Sequence, residues 1–238
     1  ADLRPLLSFW DRISYGAWSD LASTLGAGRP SHELFDIPDD LKPIMSAGIE
    51  AATAGAAHRL AAGPGLRAGS RILDVGGGTG SFSLALCGAD PSLSATVLEL
   101  GDIAPIAGKR ITASGLGDRV GVLVGDVLQD DVPGGYDAFL LANVVHYWSP
   151  STNTDLLGRL GAAAQPGARL LIVDFWTDET HSQPVAAALM AGEFAVHLDA
   201  GDVYSVEECR QWLADAGWTF ESHTGLAGPL SLVTASLG

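Results

Sequence analysis

Lysine is almost missing from this chain of 238 residues: Lys42 and Lys109 are the only two, and with the arginines they make 13 basic groups against 28 acidic ones. The formal net charge of -15 repels nucleic-acid phosphates and anionic membrane surfaces, so no nucleic acid and no membrane is expected as a partner. Cysteine is as scarce. Cys87 and Cys209 stand far apart and outside any metal-type spacing, and no apolar run approaches the ~20 residues that cross a bilayer. Repeats, charge blocks and low-complexity tracts are also lacking. A soluble protein of a reducing compartment, cytoplasmic in location, is the expectation from these absences.

What the chain has is a 47% hydrophobic content, enough for one sizeable α/β domain with a helical attachment. Its organising stretch is Ile72-Leu73-Asp74-Val75-Gly76-Gly77-Gly78-Thr79-Gly80. An apolar run passes through an acid into a glycine-rich turn and then into the helix-forming segment Ser81 to Cys87. Glycines allow positive φ and let backbone N–H groups approach a ligand, but such strand-to-helix turns serve many cofactors.

Ahead of this turn, Leu6, Leu7, Phe9, Trp10, Ile13, Trp18 and Leu21 recur at helical spacing. Arg29-Pro30-Ser31 reads as a break and Pro38-Asp39-Asp40 as a helix start with acids at its N-terminus. A helix over 41–62, weakened at Gly48 and Gly55, leads to a boundary at Gly63-Pro64-Gly65. Residues 1–65 are therefore expected as a helical substrate-pocket segment and 66–238 as the cofactor-binding catalytic domain.

Behind the turn, strand and helix signals alternate. Ser94 to Leu100 is a second strand carrying Glu99, which lies 19 residues after Gly80; an acid near that distance at the end of a second strand suits the two hydroxyls of a ribose. Ile103 to Ser114 reads as a helix, Arg119 to Val124 as a third strand closed by Gly125-Asp126-Val127, and Tyr136 to Val145 as a buried parallel strand ending at His146-Tyr147-Trp148. Thr154 to Ala164 reads as a helix, and Ala168 to Trp176 as a fifth strand bearing Asp174. Val206 to Ala216 is a helix capped by Ser205, and Trp218–His223 with Leu230–Ala235 form a terminal hairpin. The pattern predicts a doubly wound, Rossmann-like α/β sheet with a C-terminal antiparallel hairpin and an N-terminal helical segment. Gly76, Glu99, Asp126, His146 and Asp174 fall on its one ligand-binding edge.

Taken together, Asp74 to Gly80, Glu99-Leu100, Gly125-Asp126, His146-Tyr147-Trp148 and the hairpin resemble the class I S-adenosylmethionine-dependent methyltransferases, and within them the small-molecule O-methyltransferases of plant phenolic and bacterial polyketide secondary metabolism. Members usually begin with a dimerisation domain of about a hundred residues to which nothing here corresponds. The chain is accordingly expected to be part of a longer protein, homodimeric if that domain exists.

The resemblance implies S-adenosyl-L-methionine as cofactor, with Asp74, Gly76, Gly78 and Gly80 along the methionine moiety. It puts Glu99 and Leu100 at the ribose, Gly125, Asp126 and Val127 at the adenine, and Asn143 on the sulfonium side. It implies His146 as general base oriented by Asp174, a second supporting acid near Val203 where Asp202 is adjacent, and an acceptor pocket involving Trp148, Met190, Phe194 and His197. Ala142 stands where plant members carry a lysine. The expected acceptor is a hydroxyl of a small aromatic or polyketide-like molecule. An imidazole with an ordinary pKa near 6.5 is suited to take a phenol proton at neutral pH.

Three other readings use the same residues. His146 and His197 are 51 residues apart and would be ligands in a metal-dependent C-methyltransferase of α-keto acids. A protein that binds the cofactor without methyl transfer is the second, and a nicotinamide dehydrogenase sharing the glycine turn and Glu99 the third. No metal is included in the expected site.

Overall fold

The computed structural model describes residues 2–30, 33–63 and 65–238. Ala1, Ser31 of the expected break and Pro64 of the expected boundary turn lie outside them. Helices α1 (Arg4–Phe9), α2 (Tyr15–Ser19), α3 (Leu21–Ala27) and α4 (Lys42–Ala61) precede the sheet, with a π-helical turn, Trp10–Ser14, joining α1 to α2. The sheet region follows as β1 (Arg71–Val75), α5 (Ser81–Ala89), β2 (Ser94–Glu99), α6 (Ala104–Ser114), β3 (Val120–Val124), β4 (Ala138–Ala142), α7 (Pro150–Ala163) and β5 (Arg169–Asp174). Two short helices, α8 (Val185–Ala188) and α9 (Met190–His197), then lead to α10 (Val206–Asp215), β6 (Trp218–Ala227) and β7 (Leu230–Leu237). Among the described residues, no helix is long and apolar enough to cross a membrane.

The strands form one seven-stranded sheet in the order β3-β2-β1-β4-β5-β7-β6. Pairings among β1 to β5 are parallel, and β7 runs antiparallel between β5 and β6. The chain runs outward from β1 to β3 and returns to place β4 on the other side of β1, which opens a crevice over the carboxyl ends of those two strands. Val75, Phe139, Leu141 and Ile172 on one sheet face pack with Leu156 and Leu160 of α7 and Trp212 and Leu213 of α10. On the other face Ile72, Val97, Leu140 and Leu171 pack with Phe82 and Leu86 of α5, Ile111 of α6 and Ala56, Ala57 and Leu60 of α4. Each such fully buried Leu or Phe contributes about 1.5–3 kcal/mol. The C-terminal end of α4 thus shares the sheet's own core.

Several local expectations are corrected. Helix α4 is continuous through Gly48 and Gly55. Gly48 is where α1 crosses, because a Cβ there would lie 2.4 Å from Phe9 Cβ. The helix begins at Lys42, with Asp39 just ahead of its N-terminus and paired with the Lys42 ammonium at 2.9 Å. Strand β4 stops at Ala142, because Asn143 adopts φ +58° and the chain turns into the 3-10 segment Val145–Tyr147. Helix α7 starts at Pro150, earlier than expected, with the Ser149 side chain accepting from the Thr152 N–H. Helix α10 carries a full capping box between Ser205 and Glu208. Cys87 and Cys209 are both buried free thiols.

Candidate active site

A cavity of about 290 Å³ opens over the crevice between β1 and β4. Its floor is the turn Gly76 to Thr79, one side is Glu99-Leu100 with Gly125 to Leu128, and the other is Asn143, Val144, Tyr147 and Trp148. Met45, Ser46, Ile49 and Thr53 of α4 form the remaining wall. Two ion pairs tie that helix to the β2–α6 region, Lys42 to Asp102 at 2.9 Å and Glu50 to Arg110 at 2.5 Å.

The glycines meet different constraints. Gly76 has φ +62°, and a Cβ on it would lie 2.8 Å from Val144 Cγ1. Gly77 admits no side chain because the Asp74 carboxylate would be 2.6 to 2.9 Å from its Cβ. Asp74 is fully buried beneath the turn, and its Oδ2 accepts from the Ser83 hydroxyl at 2.6 Å. Burial, with Glu99 adding like charge, pushes its pKa up to about 7 against the opposing Ser83 hydrogen bond. Asp74 is therefore a prop under the turn and not a wall of the cavity.

Glu99 is held by backbone donors on both oxygens: Gly78 N–H to Oε2 and Leu100 N–H to Oε1, each at 2.8 Å. Burial raises its pKa, with those two bonds opposing. A carboxylate has about four lone-pair sites, so two remain after the backbone has fixed the group, the number needed to accept from a vicinal pair of hydroxyls. Asp126 ends the neighbouring loop, its Oδ1 accepting from Leu128 N–H at 2.8 Å while its own N–H donates to Asp130. Leu100, Val127, Leu128 and Trp148 give this end of the cavity apolar surfaces suited to a flat ring. Asn143 lines the opposite end, and its buried Oδ1 has no hydrogen-bond partner among the described residues. An orphaned acceptor of that kind fits a ligand that brings a donor.

His146 stands next to this cavity in the chain, between lining residues Val144 and Tyr147, and is only 4% exposed. Its Nδ1 lies 2.7 Å from Asp174 Oδ1, which also accepts from the Phe175 N–H at 2.8 Å. A carboxylate only accepts, so Nδ1 carries the proton and Nε2 is left as the basic nitrogen. The Phe194 ring is stacked on the imidazole at 4.0 Å and 6°, and Tyr147 meets it edge-on at 4.4 Å. Asp202 holds the same residue by its backbone: its N–H donates to the His146 carbonyl at 3.1 Å, while its side chain accepts from the Val203 N–H. A Cβ on Gly201 would lie 2.2 Å from that carbonyl, so the close approach of this loop was encoded by a glycine whose meaning only the fold reveals.

The structure therefore brings together Gly76, Gly78, Glu99, Leu100, Gly125, Asp126, Val127 and Asn143 around one cavity, with Gly80 capping α5 at φ +75°. Trp148 belongs to this cavity as well. Met190 and Phe194 are not among the cavity-lining residues; they pack with Phe9, Ile13 and Phe175 in a cluster that shares Met45 and Tyr147 with the cavity wall. His197 is buried with its Nε2 3.3 Å from Glu193 Oε1. His146 and His197 thus each face a carboxylate of their own, and among the described residues no three His, Cys, Asp or Glu side chains are grouped as metal ligands. The pocket segment 1–65 was expected, but its individual lining residues Met45, Ser46, Ile49 and Thr53 were not singled out, and the Glu193 cluster was missed; a Glu between apolar neighbours at 191–196 was the available signal for the latter.

The chain is similar to known proteins in sequence and in fold. The chain is 38% identical over 161 residues to the 3-hydroxy-5-methyl-1-naphthoate 3-O-methyltransferase of Streptomyces sahachiroi, an alignment covering 68% of this chain and 46% of that protein. It is 36% identical over 154 residues to the L-tyrosine C(3)-methyltransferase of Streptomyces lavendulae, covering 64% and 42%. The chain spans about half the length of these curated relatives. The solved apo structure of the S-adenosylmethionine-dependent methyltransferase SibL superposes with a TM-score of 0.82 at 30% identity, over 99% of this chain and 73% of that one. With the model of the O-methyltransferase domain family matching residues 40–219, the chain belongs to that family.

Proposed function

We propose that the chain binds S-adenosyl-L-methionine in the cavity over β1 and β4 and transfers its methyl group to a hydroxyl of a small aromatic or polyketide-like acceptor. The observation that carries this reading is the His146–Asp174 dyad at 2.7 Å, set one residue from a cavity whose Glu99 is preorganised for a diol and whose Asn143 holds an orphaned acceptor. When bound, the cofactor supplies an activated methyl group to a nucleophile approaching opposite the sulfur. Glu99 accepts from the ribose hydroxyls, the Gly76–Gly78 backbone follows the methionine portion, and Val127 and Trp148 flank the adenine. Asp74 supports the turn from below.

His146 Nε2 takes the acceptor's hydroxyl proton, and Asp174 holds the ring in the required tautomer and stabilises the imidazolium that results. Most of the remaining rate comes from holding the oxygen in line at roughly 3 Å. Because His146 is 4% exposed, the acceptor reaches Nε2 only as Tyr147 and Phe175 move aside while Phe194 keeps its place on the ring face, a gating step of a familiar kind. The helical segment 1–65 is assigned to the pocket wall through α4. Homodimerisation, if the protein has a domain preceding this chain, belongs to the same proposal, as does a location in the cytoplasm.

The test is transfer of labelled methyl from S-adenosyl-L-methionine to phenolic acceptors, with the corresponding methyl ethers as controls. Methyl ether products support the proposal, and no product from any free phenol counts against it. A C-methylated ring would favour a second reading, to which the tyrosine C-methylating relative lends weight. There the same deprotonation makes the ring carbon beside the phenolate the nucleophile.

A further inference from the structure

We propose that Glu193 is a positioning residue for His146: by anchoring α9 to the amino-terminal helices it keeps the Phe194 ring flat against the imidazole. The inference rests on the reading of His146 as proton acceptor.

Glu193 is an anomaly in its helix, a carboxylate 5% exposed between the apolar residues of α9. A buried charge of this kind persists only where donors surround it. Here Ser14 Oγ donates at 2.5 Å, Trp18 Nε1 at 2.6 Å, and His197 Nε2 lies at 3.3 Å. Burial pushes its pKa up, but those three groups outweigh it and hold the carboxyl below its ordinary range. Ser14 is the last residue of the π-helical turn Trp10–Ser14, an uncommon backbone form that often appears at functional sites.

A second observation makes this a seat and not only a charge pair. A Cβ on Gly192 would lie 2.5 Å from Trp18 Cη2, so the indole rests on the α9 backbone at a place only glycine allows. Residues 192 and 193 thus grip α2, and the next residue, Phe194, is the ring stacked on His146 at 4.0 Å and 6°.

The geometry of the imidazole explains why the grip matters. The bond from Nδ1 to Asp174 fixes which edge of the ring faces the carboxylate but leaves the ring free to rock about that line. A ring packed flat on one face removes the rocking, which fixes where Nε2 points. Small misplacements of a catalytic group cost large factors in rate, so the tilt imposed by Phe194, and through it by Glu193, belongs to the catalytic geometry.

Histidine-ring NMR of the chain tests this without any acceptor. Phe194 shields the ring protons of His146, assigned with His146→Gln, and Phe194→Leu defines complete loss of that shielding. Glu193→Ala is expected to move the His146 resonance at least about half of the way to the Phe194→Leu value. Glu193→Gln, whose amide oxygen accepts from Trp18 Nε1 while its N–H₂ donates to the Ser14 hydroxyl, should return it most of the way. Trp18→Phe removes one donor while keeping a ring on Gly192, and covers the case in which Glu193→Ala fails to fold; it should move the resonance in the same direction by less. His223, bonded to Ser231 at 2.8 Å in the terminal hairpin, reports that the fold is intact. A His146 resonance unmoved in a folded Glu193→Ala or Trp18→Phe chain overturns the positioning claim. Methyl transfer that survives His146→Gln overturns it by a different route, removing its premise while leaving the ring shifts intact.

Discussion

Replacing Asp74 by Asn should make the chain more stable at alkaline pH and less stable at acid pH. Asp74 is fully buried with Ser83 as its hydrogen-bonding residue, and its Oδ1 has no partner among the described residues. Burial raises its pKa from 3.8 to about 7. A carboxyl whose folded pKa is raised costs nothing below pH 3.8, loses stability as pH climbs toward about 7, and carries a constant penalty above it. The gap corresponds to about 4 kcal/mol. Asparagine removes that penalty but sets an amide N–H₂ where Oδ1 has no partner, a loss of about 1–3 kcal/mol at every pH. The variant should therefore cross the parent, less stable by about 1–3 kcal/mol near pH 4 and more stable by a similar amount near pH 8. Urea denaturation at a series of pH values reads this directly, and the titrating groups cancel in the difference between the two proteins except Glu99, whose charge is coupled to that of Asp74. Stability curves that stay parallel to within about 1 kcal/mol over this range would refute the assignment of Asp74 as a charge held under strain of burial.

Glu99→Gln should weaken S-adenosyl-L-methionine binding about 10- to 100-fold by calorimetry, the equivalent of one or two hydrogen bonds to a charged acceptor. The amide turns a donor toward either the Gly78 or the Leu100 N–H that now points at the carboxylate. Gly76→Ala should cost more stability than Gly78→Ala by urea denaturation. Both positions have positive φ, worth about 1–2 kcal/mol against a Cβ, but only at Gly76 does the added atom also meet Val144. Equal losses would mean that Val144 yields freely.

The parallel sheet, its edge and many of the residues that line the cavity were legible because their signals are local. A glycine turn after an apolar strand, an acid 19 residues beyond Gly80 and runs such as Leu170 to Val173 depend only on neighbours in sequence. What escaped depends on distant packing. The run Tyr136 to Val145 reads as one strand, yet Asn143 turns left-handed where the cavity needs a bend. Gly48 looks like a helix weakness and is a crossing point for Phe9. Phe194 was expected in the acceptor pocket; its stacking on His146 follows from Glu193 meeting Ser14 and Trp18, residues more than 170 positions away. The resemblance put a second supporting acid near Val203, which is not acidic; the adjacent Asp202 holds His146 by its backbone N–H.

The central claim is that His146 removes a proton from an acceptor next to a bound methyl donor. Methyl transfer and cofactor affinity measured side by side for His146→Gln test it most directly. The account predicts a loss of turnover of about 100- to 10,000-fold with the dissociation constant for S-adenosyl-L-methionine within about twofold of the parent. Turnover that persists at the parent rate, or a loss matched by an equal loss of cofactor binding, would contradict it.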